Sequence, residues 1–300
     1  MQMKDLNAGE YGFLLLTSNL GNPGRKPLTG HQFWELMERS DYIRYRDISR
    51  DVDVYDFTSI GYSPKFAQHI MDLLHDEELL GWYLIQAGKR KIVPITRATK
   101  TYPLAIRKRL GGECPGVLWA RGDLGILDTP AVSLVGSREL RQENRAFAEE
   151  AGRQAALQGL TLVSGNARGA DKTAQNACLQ AGGRVISIVA DSLVNHRPGK
   201  NMLYISENSF DEEFSSQRAL SRNRCIHALG QITVVAQSDL GRGGTWDGTV
   251  KNLRHGWSPV VCFRDGSEAS RELEQRGATL IGMEELKDFG NLAEKTLSFL

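Results

Sequence analysis

Runs of apolar residues separated by polar, glycine-bearing stretches divide the chain into two differently organised parts. Five short apolar runs lie beyond residue 130: Ala131-Val-Ser-Leu-Val, Leu160-Thr-Leu-Val, Arg184-Val-Ile-Ser-Ile-Val, Ile232-Thr-Val-Val and Val260-Val-Cys-Phe. They do not alternate between apolar and polar, so they read as strands covered on both faces, as in a parallel sheet. Segments of helical character lie between them at 145–157, 170–179 and 221–229. This alternation predicts an α/β fold with a doubly wound, mostly parallel Rossmann-like sheet. Right-handed crossovers would bring the C-terminal ends of the strands to one edge, where such sheets bind ligands. A helix at 269–275, the run Ala278-Thr-Leu-Ile and a terminal helix extend the same sheet.

The preceding part has helical spacing. Ser63-Pro64 opens a segment with proline at its first position, and Phe66, Ile70, Leu73 and Leu74 recur at helical intervals. A continuation over 78–87 carries Leu79, Leu80, Trp82 and Leu84. Thr29 is placed to cap a helix at 32–39, and an apolar run at 11–16 ends before Gly21-Asn-Pro-Gly-Arg. Lys91-Ile-Val-Pro-Ile begins an extended stretch. Tyr102-Pro103 and Cys114-Pro115-Gly116 mark turns, and Val117-Leu-Trp-Ala is strand-like. The expectation is a small helical N-terminal domain at 1–105 and an α/β domain at 106–300.

Composition narrows the chemistry. A formal net charge of +1 removes any general basic character and confines phosphate binding to a local groove. Cys114, Cys178, Cys225 and Cys262 form no C-x-x-C pair, which argues against a zinc or dithiol site and fits a reducing compartment. Met1-Gln-Met-Lys-Asp carries no signal-peptide pattern, and no apolar run reaches the roughly 18 residues of a membrane span. A cytoplasmic protein without membrane, metal or cofactor is expected.

The candidate chemistry lies in the loops. Gly136-Ser137-Arg138 follows the first strand and offers close backbone approach, a hydroxyl and a cation at a helix N-terminus. Ser164-Gly165-Asn166-Ala167-Arg168-Gly169-Ala170-Asp171 follows the second. Arg168 suits a bidentate phosphate contact, and Asp171 suits a cap or brace. After the third strand, Lys200 and Asn201 follow a Pro-Gly turn and are expected to open a helix, with His196 and Arg197 nearby. Arg218, Arg222, Asn223 and Arg224 form a cationic run without an acid. Its i, i+4 pair Arg218 and Arg222 repels unless an anion sits there. The acids Glu207, Asp211, Glu212 and Glu213 before it read as a solvated loop. Gly243-Gly244-Thr245 before a helix forms a phosphate nest of amides plus a hydroxyl. Trp246 suits the core better than base stacking. His227 and His255 are isolated, no nucleophile–base pair stands out, and no Walker lysine follows the glycines. The chain reads as a binder, with no catalytic residues.

With these residues in view, the sequence resembles the DprA/Smf family of DNA-processing proteins. The resemblance rests on Tyr102-Pro103, Gly116-Val-Leu-Trp-Ala-Arg-Gly-Asp, Val132-Ser-Leu-Val-Gly-Ser-Arg, Val163-Ser-Gly-Asn-Ala-Arg-Gly-Ala-Asp, Gly182-Gly183 and Arg222-Asn-Arg, in that order. It implies an extended Rossmann-like fold, single-stranded DNA binding, delivery of that strand to a RecA-type recombinase in natural transformation, and a homodimer without catalytic activity. It assigns Arg138 and Lys200 to DNA backbone contact, Gly165 and Arg168 to the glycine loop, and Arg222 and Arg224 to the Arg-Asn-Arg motif. Asn166, Ala170, the 219–221 segment, Ala236-Gln237 and the 241–245 loop depart from the family pattern, and no winged-helix domain is expected. These mark a divergent branch. The competing reading is a nucleotide-binding sensor, or a nucleoside-monophosphate-cleaving enzyme of the related lysine-decarboxylase-like family. Gly243-Gly244-Thr245 and Gly248-Thr249 suit it, although the acid nearest to that family's catalytic glutamate is Asp247.

Overall fold

A computed structural model describes residues 6–40 and 52–297, with side chains as far as residue 293. The N-terminal pentapeptide read for a signal pattern lies outside the described residues. The chain separates into two compact units, Met1–Tyr102 with Gly111–Trp119 and Glu207–Phe210, and Pro103–Leu110 with Ala120–Ser206 and Asp211–Leu300.

The first unit is helical. It holds α1 (Ala8–Thr17), α2 (Gly30–Ser40), α3 (Val54–Ser59), α4 (Pro64–Leu74), α5 (Glu77–Lys89) and the strand β1 (Val93–Thr96). Local capping explains where these helices begin. Asn7 and Asp53 form capping boxes with Glu10 and Asp56, and the Ser63 hydroxyl accepts from Phe66 N ahead of Pro64. The Thr29 hydroxyl accepts from Gln32 N at 3.2 Å. The segment at 78–87 is a helix of its own, starting afresh after His75 and Asp76, and not a continuation of α4. Phe33, Leu36, Phe57, Ala67, Ile70 and Leu73 close a core among α1 to α4. Arg25, only 8% exposed, pins this unit. It donates to the carbonyls of Ser18, Leu15 and Leu73 and pairs with Asp76 at 2.6 Å.

The second unit begins with α6 (Leu104–Leu110) and the last three residues of β2 (Val117–Gly122). It continues with β3 (Ala131–Val135), α7 (Gln142–Leu157), β4 (Thr161–Ser164), α8 (Ala170–Gln180), β5 (Arg184–Ile188), β6 (Met202–Glu207), α9 (Ser216–Leu229), β7 (Thr233–Val235), α10 (Gly243–His255), β8 (Val260–Phe263), α11 (Glu268–Gln275), β9 (Thr279–Ile281) and α12 (Phe289–Leu297). The strand order β2-β6-β5-β4-β3-β7-β8-β9 is that of a doubly wound sheet. The pairs from β6 across to β9 are all parallel. Its two covered faces follow from the pleat. Ser164 and Ser187 are register partners, and both hydroxyls accept from Gln175 of α8. Ser133 points the other way and donates to the Ile226 carbonyl of α9. Helices α8 and α9 therefore lie on opposite faces. The central strands are buried on both sides, which is why β3, β4, β5, β7 and β8 read as short apolar runs.

Two sequence expectations fail here. Lys200 and Asn201 open no helix. They lead into β6, whose Met202 is aligned with Val185 at the start of β5, so they lie at the N-terminal edge of the sheet. Asn201 holds a positive φ of 61° and donates to the Gly182 carbonyl. Strand β6 itself was hidden because Tyr204, Ser206 and Glu207 break its apolar run, yet all six of its residues are buried. Glu207 thus belongs to a strand and not to a solvated acidic loop.

Candidate functional site

The strand order reverses at β3. From β3 the chain winds outward through β4, β5 and β6, then returns to place β7 on the other side of β3. Loops leaving neighbouring strands at such a switch point diverge and leave a crevice at the strand C-termini. A cavity of about 820 Å³ opens there, lined by the loops after β3, β4 and β7 and by one face of α9. The expected residues Gly136, Ser137, Arg138, Arg168, Arg222, Asn223, Gly243, Gly244 and Thr245 all line it.

Glycine allows the first two loops to lock together. A Cβ on Gly136 would collide with Ala170, and one on Gly169, which holds φ at +87°, would strike the Ser137 and Arg138 carbonyls. Ala170 N donates to the Ser137 carbonyl at 3.2 Å. The Ser137 hydroxyl is turned toward the β7 side, donating to the Gln237 carbonyl at 3.3 Å. Arg138 is left exposed at the rim.

The loop after β4 already holds a carboxyl group of its own. Asp171, 5% exposed, accepts from Gly165 N and Ala167 N, both at 3.1 Å. Burial pushes its carboxyl up, while Arg222, the two amides and Arg138 oppose that rise. The brace expected of Asp171 is thus what the structure shows, and those two amides are spent on it. Ser164 is likewise engaged, accepting from Gln175 at 2.6 Å, and neither it nor Gly165 nor Gly169 lines the cavity.

The cations divide by environment. Arg168 pairs with Glu139 at 2.9 Å, and both side chains are mostly exposed, so the pair is weak and exchangeable. Arg222, which also lines the cavity, is 8% exposed and donates to the Gly165 carbonyl at 2.9 Å. Arg224 donates to the Ser221 carbonyl and hydroxyl and does not line the cavity. Lys200 and Asn201 do not reach it. The repulsion expected between Arg218 and Arg222 is offset by partners that the protein itself supplies to Arg218. Arg218 donates to the carbonyls of Ala190, Glu212 and Glu213 and to the Ser206 hydroxyl, and pairs with the Glu212 carboxylate at 3.3 Å.

The third wall is the start of α10. Its N-cap residue, Arg242, supplies no side-chain cap, so the first turn of Gly243, Gly244 and Thr245 keeps its amides uncapped beside the cavity. Asn223 Nδ2 donates to the Gly244 carbonyl at 3.0 Å and ties α9 to this turn. Trp246 is buried as expected. Sequence reading passed over Arg242 and Gln237; a cation just before a glycine pair was the available signal for the first. Four lining arginines, Arg138, Arg168, Arg222 and Arg242, face four acids, Glu139, Asp171, Asp239 and Asp247. Net charge therefore does not favour an anion here; the uncapped helix start and the exposed rim arginines do.

Two further groups have settled roles. His227 is wholly buried beside Thr233 and Asn252, and burial, reinforced by Arg222, pushes its pKa down to about 3. It is a neutral core histidine. The four cysteines are buried and none forms a disulfide, with burial raising Cys178 to about 11 and Cys262 to about 12. Among the described residues there is no cluster of metal-binding side chains, and no helix is long and apolar enough to cross a membrane.

Residues 94–291 match the family described as DNA recombination-mediator protein A. The DNA processing protein DprA of Streptococcus pneumoniae is 29% identical over 196 residues, which cover 59% of this chain and 68% of that protein. Protein Smf of Escherichia coli is 27% identical over 184 residues, 56% of this chain and 49% of its own length. The crystal structure of the S. pneumoniae protein superposes with a TM-score of 0.69 at 23% identity, covering 93% of this chain and 96% of that one. A Helicobacter pylori DNA processing protein A, whose structure concerns its single-stranded DNA binding mode, superposes with a TM-score of 0.55 at 24% identity, covering 70% and 97%. At these identities the structural likeness establishes the fold: a Rossmann-like α/β sheet preceded by helices.

Proposed function

Because the chain belongs to the DNA recombination-mediator protein A family, we propose that it binds single-stranded DNA along the cavity at the strand C-termini and hands that strand to a RecA-type recombinase. The observation that carries this reading is the convergence of the Gly136-Ser137-Arg138 loop, the Arg168 loop and the uncapped Gly243-Gly244-Thr245 turn on one cavity. Phosphates would meet Arg138, Arg168 and the α10 amides, while Arg222 and Asn223 hold the walls in place. Lys200, Asn201 and Arg224 lie outside this cavity, so they serve the reading only as contacts on a strand that continues past it.

Binding here needs no chemistry of its own: the protein acts by holding the strand, without cofactor, in the cytoplasm, as a homodimer, with 1–105 and 106–300 as its two domains. Calorimetric titration with oligo-dT and with a panel of mononucleotides separates this reading from a nucleotide sensor. Oligo-dT binding that strengthens with strand length supports it. Submicromolar mononucleotide affinity without oligo-dT binding refutes it.

A further inference from the structure

The helical unit contains a cation that the protein itself leaves unanswered. Arg97 follows β1 and is only 9% exposed. Its Nε and Nη1 are both buried, and neither has a hydrogen-bond partner. Among the described residues it forms no ion pair either. Its guanidinium carbon lies over the Trp34 ring, 5.0 Å from the centroid. Such stacking favours a cation but satisfies none of its N–H groups. Two acids of this unit are committed elsewhere: Glu10 accepts from Thr99 Oγ1 at 2.8 Å and from Asn7 N, and Glu38 accepts from Trp34 Nε1 at 2.6 Å. The segment around Arg97, Thr96-Arg97-Ala98-Thr99-Lys100-Thr101, adds a second cation and no acid.

Buried guanidinium groups in folded proteins are paired or hydrogen-bonded, because leaving one bare costs more than its packing returns. Compare Arg25 in the same unit, whose donors are answered by three carbonyls and a carboxylate. Nη2 is not among the enclosed atoms of Arg97. A charge-assisted hydrogen bond from a guanidinium N–H to an oxyanion is about twice as strong as a neutral one. With Nε and Nη1 bare and enclosed, the charge of Arg97 is uncompensated, and an anion arriving from outside meets it at Nη2.

We propose that Arg97, stacked on Trp34, is a phosphate-binding site in the helical unit, separate from the cavity between the strand ends, and that its ligand is a phosphodiester of bound nucleic acid. The choice of nucleic acid rests on the reading under Proposed function; the existence of an oxyanion site does not. A contact to phosphate positions the strand and carries no base preference.

The test uses the full chain and compares the wild type with Arg97→Met, which keeps the packing on Trp34, and with Arg97→Lys, which keeps the charge but loses the planar guanidinium over Trp34. Oligo-dT binding is followed by anisotropy at several salt concentrations. Arg97→Met should weaken binding about fivefold at low salt and reduce the slope of log affinity against log salt by about 0.7, the loss of one phosphate contact. Its melting temperature should hold or rise, since an unanswered buried charge has been removed; a merely structural arginine would lower it. Arg97→Lys should keep the slope and lose part of the affinity, and it serves if the Met variant fails to fold. Unchanged affinity and slope in a folded variant overturns the proposal. Should the wild type bind no oligo-dT, a second arm applies. Inorganic pyrophosphate should raise the melting temperature of an Arg138→Ala protein and not that of the Arg97→Met, Arg138→Ala double variant. An equal rise in both overturns the site. Stabilisation by oligoglutamate with none by pyrophosphate overturns the phosphate assignment.

Discussion

The guanidinium of Arg222 lies where Gly165 would carry a side chain: Nη2 donates to the Gly165 carbonyl at 2.9 Å, and a Cβ on Gly165 would collide with Nη1. The contact joins α9 to the loop after β4 across 57 residues of sequence. Gly165 is thus a glycine for reasons of space, since its backbone adopts no positive φ.

Gly165→Ala should therefore displace Arg222 and disturb Asp171, which accepts from Gly165 N. Overpacking of this kind costs about 1–3 kcal/mol. Urea unfolding should show that loss, and oligo-dT titration a weaker complex. A variant as stable as the wild type would mean that the Arg222 contact contributes little.

Arg25 makes a parallel prediction for the helical unit. Arg25→Met removes the partner of three main-chain carbonyls and of Asp76. Leaving buried acceptors bare costs roughly 1–3 kcal/mol each, so a loss of about 3 kcal/mol or more is expected in urea unfolding. A loss below about 1 kcal/mol would contradict this role.

His227 makes stability depend on pH. Its pKa in the folded protein is held near 3, against 6.5 for an unperturbed histidine. Below pH 6.5 the unfolded chain takes up a proton that the folded chain refuses. Stability from this group is therefore complete above 6.5 and is lost as pH falls toward 3. Each pH unit in that window costs up to roughly 1.4 kcal/mol. His227→Gln should lose about 2 kcal/mol less than the wild type between pH 6.5 and 5, measured by chemical denaturation. Equal losses would show that His227 is not the group responsible.

The strands β3, β4, β5, β7 and β8 were legible because burial on both faces leaves an unbroken apolar run. The loops after β3, β4 and β7 were legible as well, since glycines and cations directly after such runs have few structural uses. What stayed hidden depends on distant partners. Strand β6 buries Ser206 and Glu207 between neighbours the sequence does not reveal. Lys200 was misplaced with it. Arg218 and Arg222 look alike on the helix, yet one is held by Ala190 and Glu212 and the other by Gly165. Arg97 gave no signal at all, because only its burial and its lack of partners distinguish it.

The central claim is that the cavity at the strand C-termini holds the phosphates of single-stranded DNA, with Arg138 at its rim. The most direct measurement is an anisotropy titration of the wild type and Arg138→Ala with oligo-dT and a mixed-sequence oligonucleotide at two salt concentrations. The account predicts a loss of about tenfold, close to 1.4 kcal/mol, alike on both oligonucleotides. It also predicts a salt slope shallower by about 0.7. An Arg138→Ala protein that binds both strands as tightly as the wild type, with the same salt slope, would contradict it.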